Sequence, residues 1–280
     1  MERAIRQIAL YGKGGIGKST VASNISVALA QDGLKVMQVG CSPKSDSVTY
    51  LNGGKPLETT VLDMTRDKGS TEAVIMTCVA EGYHGILLVE AGGPEPAEGC
   101  AGRGIAVALE LLREHRIPEQ LGADFIIYDV IGDVVCGGFA QPIRAGFAEE
   151  VYIVSSGELM SLYSCNNICL AISDLSSKGA KVAVAGLIDN MRGVEKEEEL
   201  LEEFGSRIGV PVATHIPRSG LVQEAESKGE TILQAFPDSE LALSYRELGR
   251  RIRKGMPRSV PTPMELEEIM GILKEYQALD

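Results

Sequence analysis

Three observations predict an α/β fold with a mostly parallel sheet covered by helices on both faces. Short apolar runs without polar alternation recur along the chain, at residues 5–11, 35–39, 125–130, 150–155 and 181–188. Strands buried on both faces read in this way. Helical periodicity precedes or follows the runs, and the first passes directly into a glycine-rich turn. Aromatic residues make up only 5% of the chain and tryptophan is absent, against 32 glycines. That mix suits glycine-turned α/β units better than a β-sandwich, which draws on aromatic and β-branched pairs.

In order, the elements are a strand over 5–11, a helix over 19–31, and a strand over 35–39 that ends at Gly40-Cys41. The remaining apolar runs continue the strand–helix alternation. Residues 195–203 carry so many charges that they read as the solvated start of a helix. From about Lys254 the character changes: residues 256–263 hold three prolines and read as extended, and 264–276 as an acidic amphipathic helix. We read one domain over 1–253, with 254–280 as its C-terminal arm and helix, packed on the body or on a second subunit.

The 280 residues are 44% hydrophobic, ample for a core, which excludes a disordered chain. A net charge of −12 argues against nucleic acid as a partner, because phosphate backbones select clustered Lys and Arg. No apolar stretch nears the roughly 18 residues that span a bilayer. The first ten residues also lack the apolar core of a signal peptide. The expectation is a soluble, cytoplasmic protein with no membrane role. In that reducing setting its six cysteines are thiols or ligands, not disulfides.

Gly12-Lys13-Gly14-Gly15-Ile16-Gly17-Lys18-Ser19-Thr20 fits G-x-x-x-x-G-K-[ST] between a strand and a helix. Backbone N–H groups of such a loop close around phosphate oxygens, with Lys18 reaching the β/γ-phosphates and the Ser19 hydroxyl on Mg²⁺. The fold is therefore read as that of a P-loop NTPase. The second lysine, Lys13, resembles that of a group of dimeric ATPases in which it reaches the partner's nucleotide. Asp129 ends a strand where a carboxylate supports Mg²⁺ through water. Asp133 follows on the loop that leaves this strand, past Gly132, and Asp46 leaves the second strand at the same carboxyl edge, where ligands collect.

Cys100 and Cys136 each lie in glycine-dense stretches, where backbone can approach an inorganic group and donate N–H to its sulfurs. Two thiolates are too few for a [4Fe–4S] cluster, which takes four; a two-fold dimer supplies the other two. Cys41 and Cys78 read as small buried residues, and Cys165 and Cys169, four apart with no nearby His or Asp, as a poor metal site. His84, His115 and His215 are scattered, and no G-x-S-x-G occurs.

With these residues in view, the chain resembles the nitrogenase iron protein family along nearly its whole length. The resemblance is carried by residues 11–20, by Gly40-Cys41 with Pro43-Lys44 and Asp46-Ser47, by residues 92–104 around Cys100, and by residues 128–140 around Cys136. It implies a homodimer with one [4Fe–4S] cluster held by Cys100 and Cys136 of each subunit. It also implies ATP and Mg²⁺, and one-electron transfer to a separate heteromeric catalytic protein, fed by a low-potential donor such as a ferredoxin or flavodoxin. By position, Asp133 orients or deprotonates the attacking water, Asp46 is the switch I carboxylate near Mg²⁺, and Lys13 acts across the dimer. Lys44 joins the nucleotide-binding set, Asn190 and Arg218 match adenine-contacting positions, and Arg103 matches a docking arginine beside the cluster.

Ser42 stands where these iron proteins usually carry Asp, Ser219 where Asp often follows Pro-Arg, and the tail is shorter and different in wording. These departures imply a nitrogenase-like branch serving a reductase of tetrapyrroles or other small molecules, with a dinitrogenase reductase proper as the alternative. Two further readings compete. A metal-free positioning ATPase of the same P-loop group needs a basic or membrane-seeking surface, whereas the C-terminal helix is acidic. A cluster-scaffold ATPase typically uses a C-x-x-C pair, and none occurs.

Overall fold

The computed structural model describes residues 5–93, 101–130, 132, 141–144 and 146–276. Its strands are β1 (Arg6–Gly12), β2 (Val36–Cys41), β3 (Ala80–Glu81), β4 (Leu87–Glu90), β5 (Phe125–Val130), β6 (Glu150–Ser155), β7 (Ala183–Asn190) and β8 (Val212–Ile216). The helices that matter below are α1 (Lys18–Gln31), α2 (Val61–Lys68), α3 (Ala101–Glu114), α4 (Leu159–Ser177), α5 (Glu197–Ile208), α6 (Glu240–Lys254) and α7 (Leu266–Tyr276). The strands form one sheet in the order β3-β4-β2-β5-β1-β6-β7-β8, parallel throughout except at β3.

Both faces of the sheet are covered, which is why the strands read as unbroken apolar runs. Ile8 and Leu10 of β1 enter a core with Ile25 and Leu29 of α1 and Tyr245 and Leu248 of α6. Ala9 and Tyr11 enter the opposite core with residues of α3, α4, α5 and α7. All four of these β1 side chains are fully buried. The expected strands at 125–130 and 150–155 are found with those bounds, and the one expected at 181–188 lies two residues later.

The C-terminal arm packs on the body. Ser259 forms an antiparallel bridge to Val184 of β7, and the Asn166 side chain donates to Met264 O and accepts from Met264 N–H, both at 2.8 Å. The apolar face of α7 (Ile269, Ile272, Leu273) is buried against α4 and α5. No helix among the described residues is long and apolar enough to cross a membrane.

One expectation holds only in part. The charged stretch 195–203 is not wholly solvated, for Glu197 is 2% exposed. Its carboxylate accepts the N–H groups of Gly157, Arg192, Gly193 and Val194 at 2.8 to 3.0 Å. A buried carboxylate is tolerated where several donors surround it, and here it ties the turn after β7 to the one after β6.

Candidate functional site

The glycine-rich loop joins β1 to α1, as its motif requires. Gly17 caps α1 with φ +99°, a conformation that favours glycine, and no side chain fills that N-terminus. The first turn of α1 contains no acidic residue. Its open N–H groups and partial positive charge therefore face the loop, an arrangement suited to phosphate. Lys18 is 8% exposed and folds back, its Nζ donating to Lys13 O at 3.1 Å.

Asp129, on β5 beside β1, is buried. Its Oδ2 accepts the Ser19 hydroxyl at 2.5 Å and the Ser47 hydroxyl at 2.6 Å. Burial pushes its carboxyl up, while these two hydroxyls and Lys18 pull the other way. Ser47 was quoted from the sequence only beside Asp46, with no role of its own; a Gln38 Nε2 bond to its hydroxyl at 3.1 Å fixes it from below. Asp46 and Lys44 lie on the same loop with exposed side chains. Gly132 presses on the P-loop: a Cβ there would stand 2.5 Å from Gly14 N and 2.6 Å from Gly12 O. The glycine is needed for the close approach of position 132 to the phosphate loop.

Glu90, also absent from the sequence expectations, ends β4 with no exposed surface. Its Oε1 accepts Val48 N–H at 3.0 Å, and its Oε2 is a buried oxygen without a partner. The carboxyl lies against Gly40, where a Cβ would overlap it. Burial lifts its pKa from 4.5 to about 8, with the Val48 N–H opposing and Asp129 and Asp46 adding to the lift. At neutral pH it is mainly the neutral acid.

On the other side of the loop, Asn190 Nδ2 donates to Ile16 O at 2.6 Å and Arg218 Nη1 to Arg192 O at 3.2 Å. Both border a cleft of about 270 Å³ with Gly17, Thr20, Arg192 and Tyr245. Arg192, which the sequence reading overlooked, also donates to Gly15 O at 2.7 Å. Lys13 lines an adjoining cavity of about 300 Å³ with Glu158, Arg192 and Arg218.

Cys100, Cys136 and Asp133 lie outside the described residues. Their segments leave β4 and β5, which flank β2 at one edge of the sheet. Arg103 is exposed on α3. The other four cysteines are buried. Burial raises the Cys41 thiol well above its ordinary value and Cys78 to about 11, and a hydrogen bond with Cys169, together with burial, raises Cys165. Thiols so held are poor iron ligands; an iron–sulfur cluster takes soft sulfur donors, the kind expected at Cys100 and Cys136. The oxygens of Ser19, Ser47 and Asp129 are hard donors that fit Mg²⁺.

The sequence model of the 4Fe-4S iron sulfur cluster binding proteins, NifH/frxC family, matches residues 6–279. The chain belongs to this family. It is 49% identical over 276 residues to a nitrogenase iron protein of Methanospirillum hungatei, covering 97% of this chain and 96% of that one. It is 46% identical over 269 residues to nitrogenase iron protein 2 of Paenibacillus durus, covering 96% and 91%. The fold is similar to that of the cell division ATPase MinD of Pyrococcus furiosus, with TM-score 0.70 and 21% identity over 90% of this chain and 99% of that one. Family membership makes this chain a nitrogenase-reductase-like, ATP-hydrolysing electron-transfer component that binds a [4Fe–4S] cluster and MgATP. It favours the first of the three competing readings over the metal-free and scaffold ones.

Proposed function

We propose that this protein is the ATP-dependent reductase component of a nitrogenase-like system, a cytoplasmic homodimer with one [4Fe–4S] cluster held by Cys100 and Cys136 of both subunits. When bound, the cluster supplies a one-electron couple. The observation that carries the reading is the convergence of Ser19, Ser47 and Asp129 at the mouth of the phosphate loop. Ser19, now spent on Asp129, would hold a Mg²⁺ ion with its nucleotide, and Asp129 would then be free to accept from water. That exchange would also disturb Ser47 and the loop bearing Asp46. Lys18 would leave Lys13 O for the phosphates, and Lys44 stands on the same loop. Asn190 and Arg218 would border the base in the cleft beside α1, and Lys13 would reach across the dimer. We assign Asp133 to orient or deprotonate the attacking water, and Arg103 to the docking face.

The electron donor is read as a ferredoxin or flavodoxin, and the acceptor as a heteromeric nitrogenase-like protein. Ser42 supports a tetrapyrrole or other small-molecule reductase as that acceptor. A second reading, a dinitrogenase reductase proper, is favoured by the nitrogenase iron proteins of Methanospirillum hungatei and Paenibacillus durus, at 49% and 46% identity. The test is iron retention. Cys100→Ser and Cys136→Ser should each lose cluster iron and keep nucleotide binding, while Cys165→Ser keeps both; iron held by either of the first two variants at the parental level would overturn the ligand assignment.

A further inference from the structure

We propose that Arg66 is a positioning residue that latches residues 91–93, the root of the segment running to Cys100, onto α2. Pro43 of the loop after β2 presses on the same root, so that this loop and the root move together when nucleotide binds. The inference deepens the proposed function and rests on it.

Three consecutive residues are held, each from two directions or by one close approach. Ala91 donates its N–H to Gly40 O at 2.9 Å and accepts Leu62 N–H at 3.1 Å. Gly92 has φ +84°, and a Cβ there would overlap the Thr60 hydroxyl. Gly93 O accepts Arg66 Nη2 at 2.7 Å, while a Cβ on Gly93 would stand 2.5 Å from Pro43 Cβ. Gly93 is thus gripped by α2 on its carbonyl and touched by the β2 loop on its Cα.

Arg66 is itself aimed. Its Nη2 pairs with Asp63 Oδ1 at 2.8 Å and its Nε donates to Leu62 O at 3.3 Å. Asp63 in turn accepts the hydroxyl of Thr60, the N-cap of α2, at 2.6 Å. A guanidinium fixed at several points presents its remaining N–H in one direction, which a flexible ammonium cannot do. The β2 loop meets the end of β4 at both of its own ends, Pro43 on Gly93 and Val48 N–H on Glu90. Between them lie Asp46 and Ser47, and Ser47 donates to Asp129 at the proposed Mg²⁺ site. A displacement at Ser47 therefore has two contacts through which to reach the root of the Cys100 segment. The Arg66 side chain is 39% exposed, so its truncation leaves no buried void.

The test is amide hydrogen exchange in the full chain, read on peptides covering 41–48 and 88–93, with and without MgADP. In the parent, MgADP should change exchange in both peptides. In Arg66→Ala the 88–93 peptide should exchange faster by on the order of tenfold, the weight of one charge-assisted hydrogen bond. It should also stop responding to MgADP, although 41–48 still responds and MgADP affinity stays within about twofold. Gly93→Ala, with Arg66 intact, should likewise silence the response of 88–93 by forcing Pro43 away. The proposal is overturned if 88–93 ignores MgADP in the parent, or if Arg66→Ala keeps parental exchange and response. Iron content of the same preparations reports separately on the function: an iron-free parent would sink that reading, while the exchange comparison still decides the latch.

Discussion

Replacing Glu90 by glutamine removes a proton site from the centre of the sheet edge while keeping the acceptor for Val48 N–H. In the parent, the buried carboxyl titrates at about 8 against an ordinary 4.5. Between those values the folded chain holds one proton that the unfolded chain has released, so stability falls as pH rises. The contribution is present in full below about pH 4.5 and is lost as pH climbs through about 8. The slope is about 1.4 kcal/mol per pH unit. From pH 6 to pH 9 roughly two units lie below the folded pKa, which sets a ceiling of about 3 kcal/mol; relaxation of the site and entry of water would reduce it. Glutamine has no proton to lose. Its stranded amide N–H, against Gly40, costs about 1–3 kcal/mol at every pH. The assay is urea unfolding of parent and Glu90→Gln at matched iron content, in steps of half a pH unit. The parent's margin over Glu90→Gln should fall by about 2 to 3 kcal/mol between pH 6 and pH 9, as estimated from the shift. A margin that stays constant with pH would refute the assignment of a neutral acid at position 90.

Three further outcomes follow from the same geometry. Glu197→Ala strands the N–H groups of Gly157, Arg192, Gly193 and Val194, and should cost about 3–5 kcal/mol in unfolding free energy; a loss under about 1 kcal/mol would show that water satisfies them. Ser47→Ala removes one of the two hydroxyls on Asp129, so calorimetric titration should find Mg²⁺-dependent nucleotide affinity down by about tenfold, with Mg²⁺-free affinity little changed. Lys18→Ala should lose at least about tenfold in nucleotide affinity, and unchanged affinity would remove Lys18 from the phosphate site.

What was legible in the sequence was what has few physical alternatives. The phosphate loop needs glycine at a left-handed helix cap, a lysine and a hydroxyl at fixed spacing, and Gly17, Lys18 and Ser19 meet those needs locally. Asp129 was legible because it closes an unbroken apolar strand, and residues 125–130 and 150–155 because both faces of those strands are covered. β4 and β8 passed unnoticed: one is four residues long, and the other is interrupted by Thr214 and His215. Glu90, Arg192 and Arg66 could not be found in this way, since each acts on backbone that only the fold brings near it. Glu197 was read with its charged neighbours, and nothing in a run of glutamates marks the one that turns inward. Gly132 entered the sequence reading as a point on the loop to Asp133, whereas the structure requires it for its lack of a side chain against the P-loop.

The central claim is a cluster shared between two copies of this chain through Cys100 and Cys136. The most direct measurement is iron and acid-labile sulfide per dimer on anaerobically purified protein, with an EPR spectrum after dithionite reduction. The account predicts four irons and four sulfides per two chains, with the signal of a reduced cluster. A colourless, iron-free dimer that still hydrolyses ATP after reconstitution would contradict it.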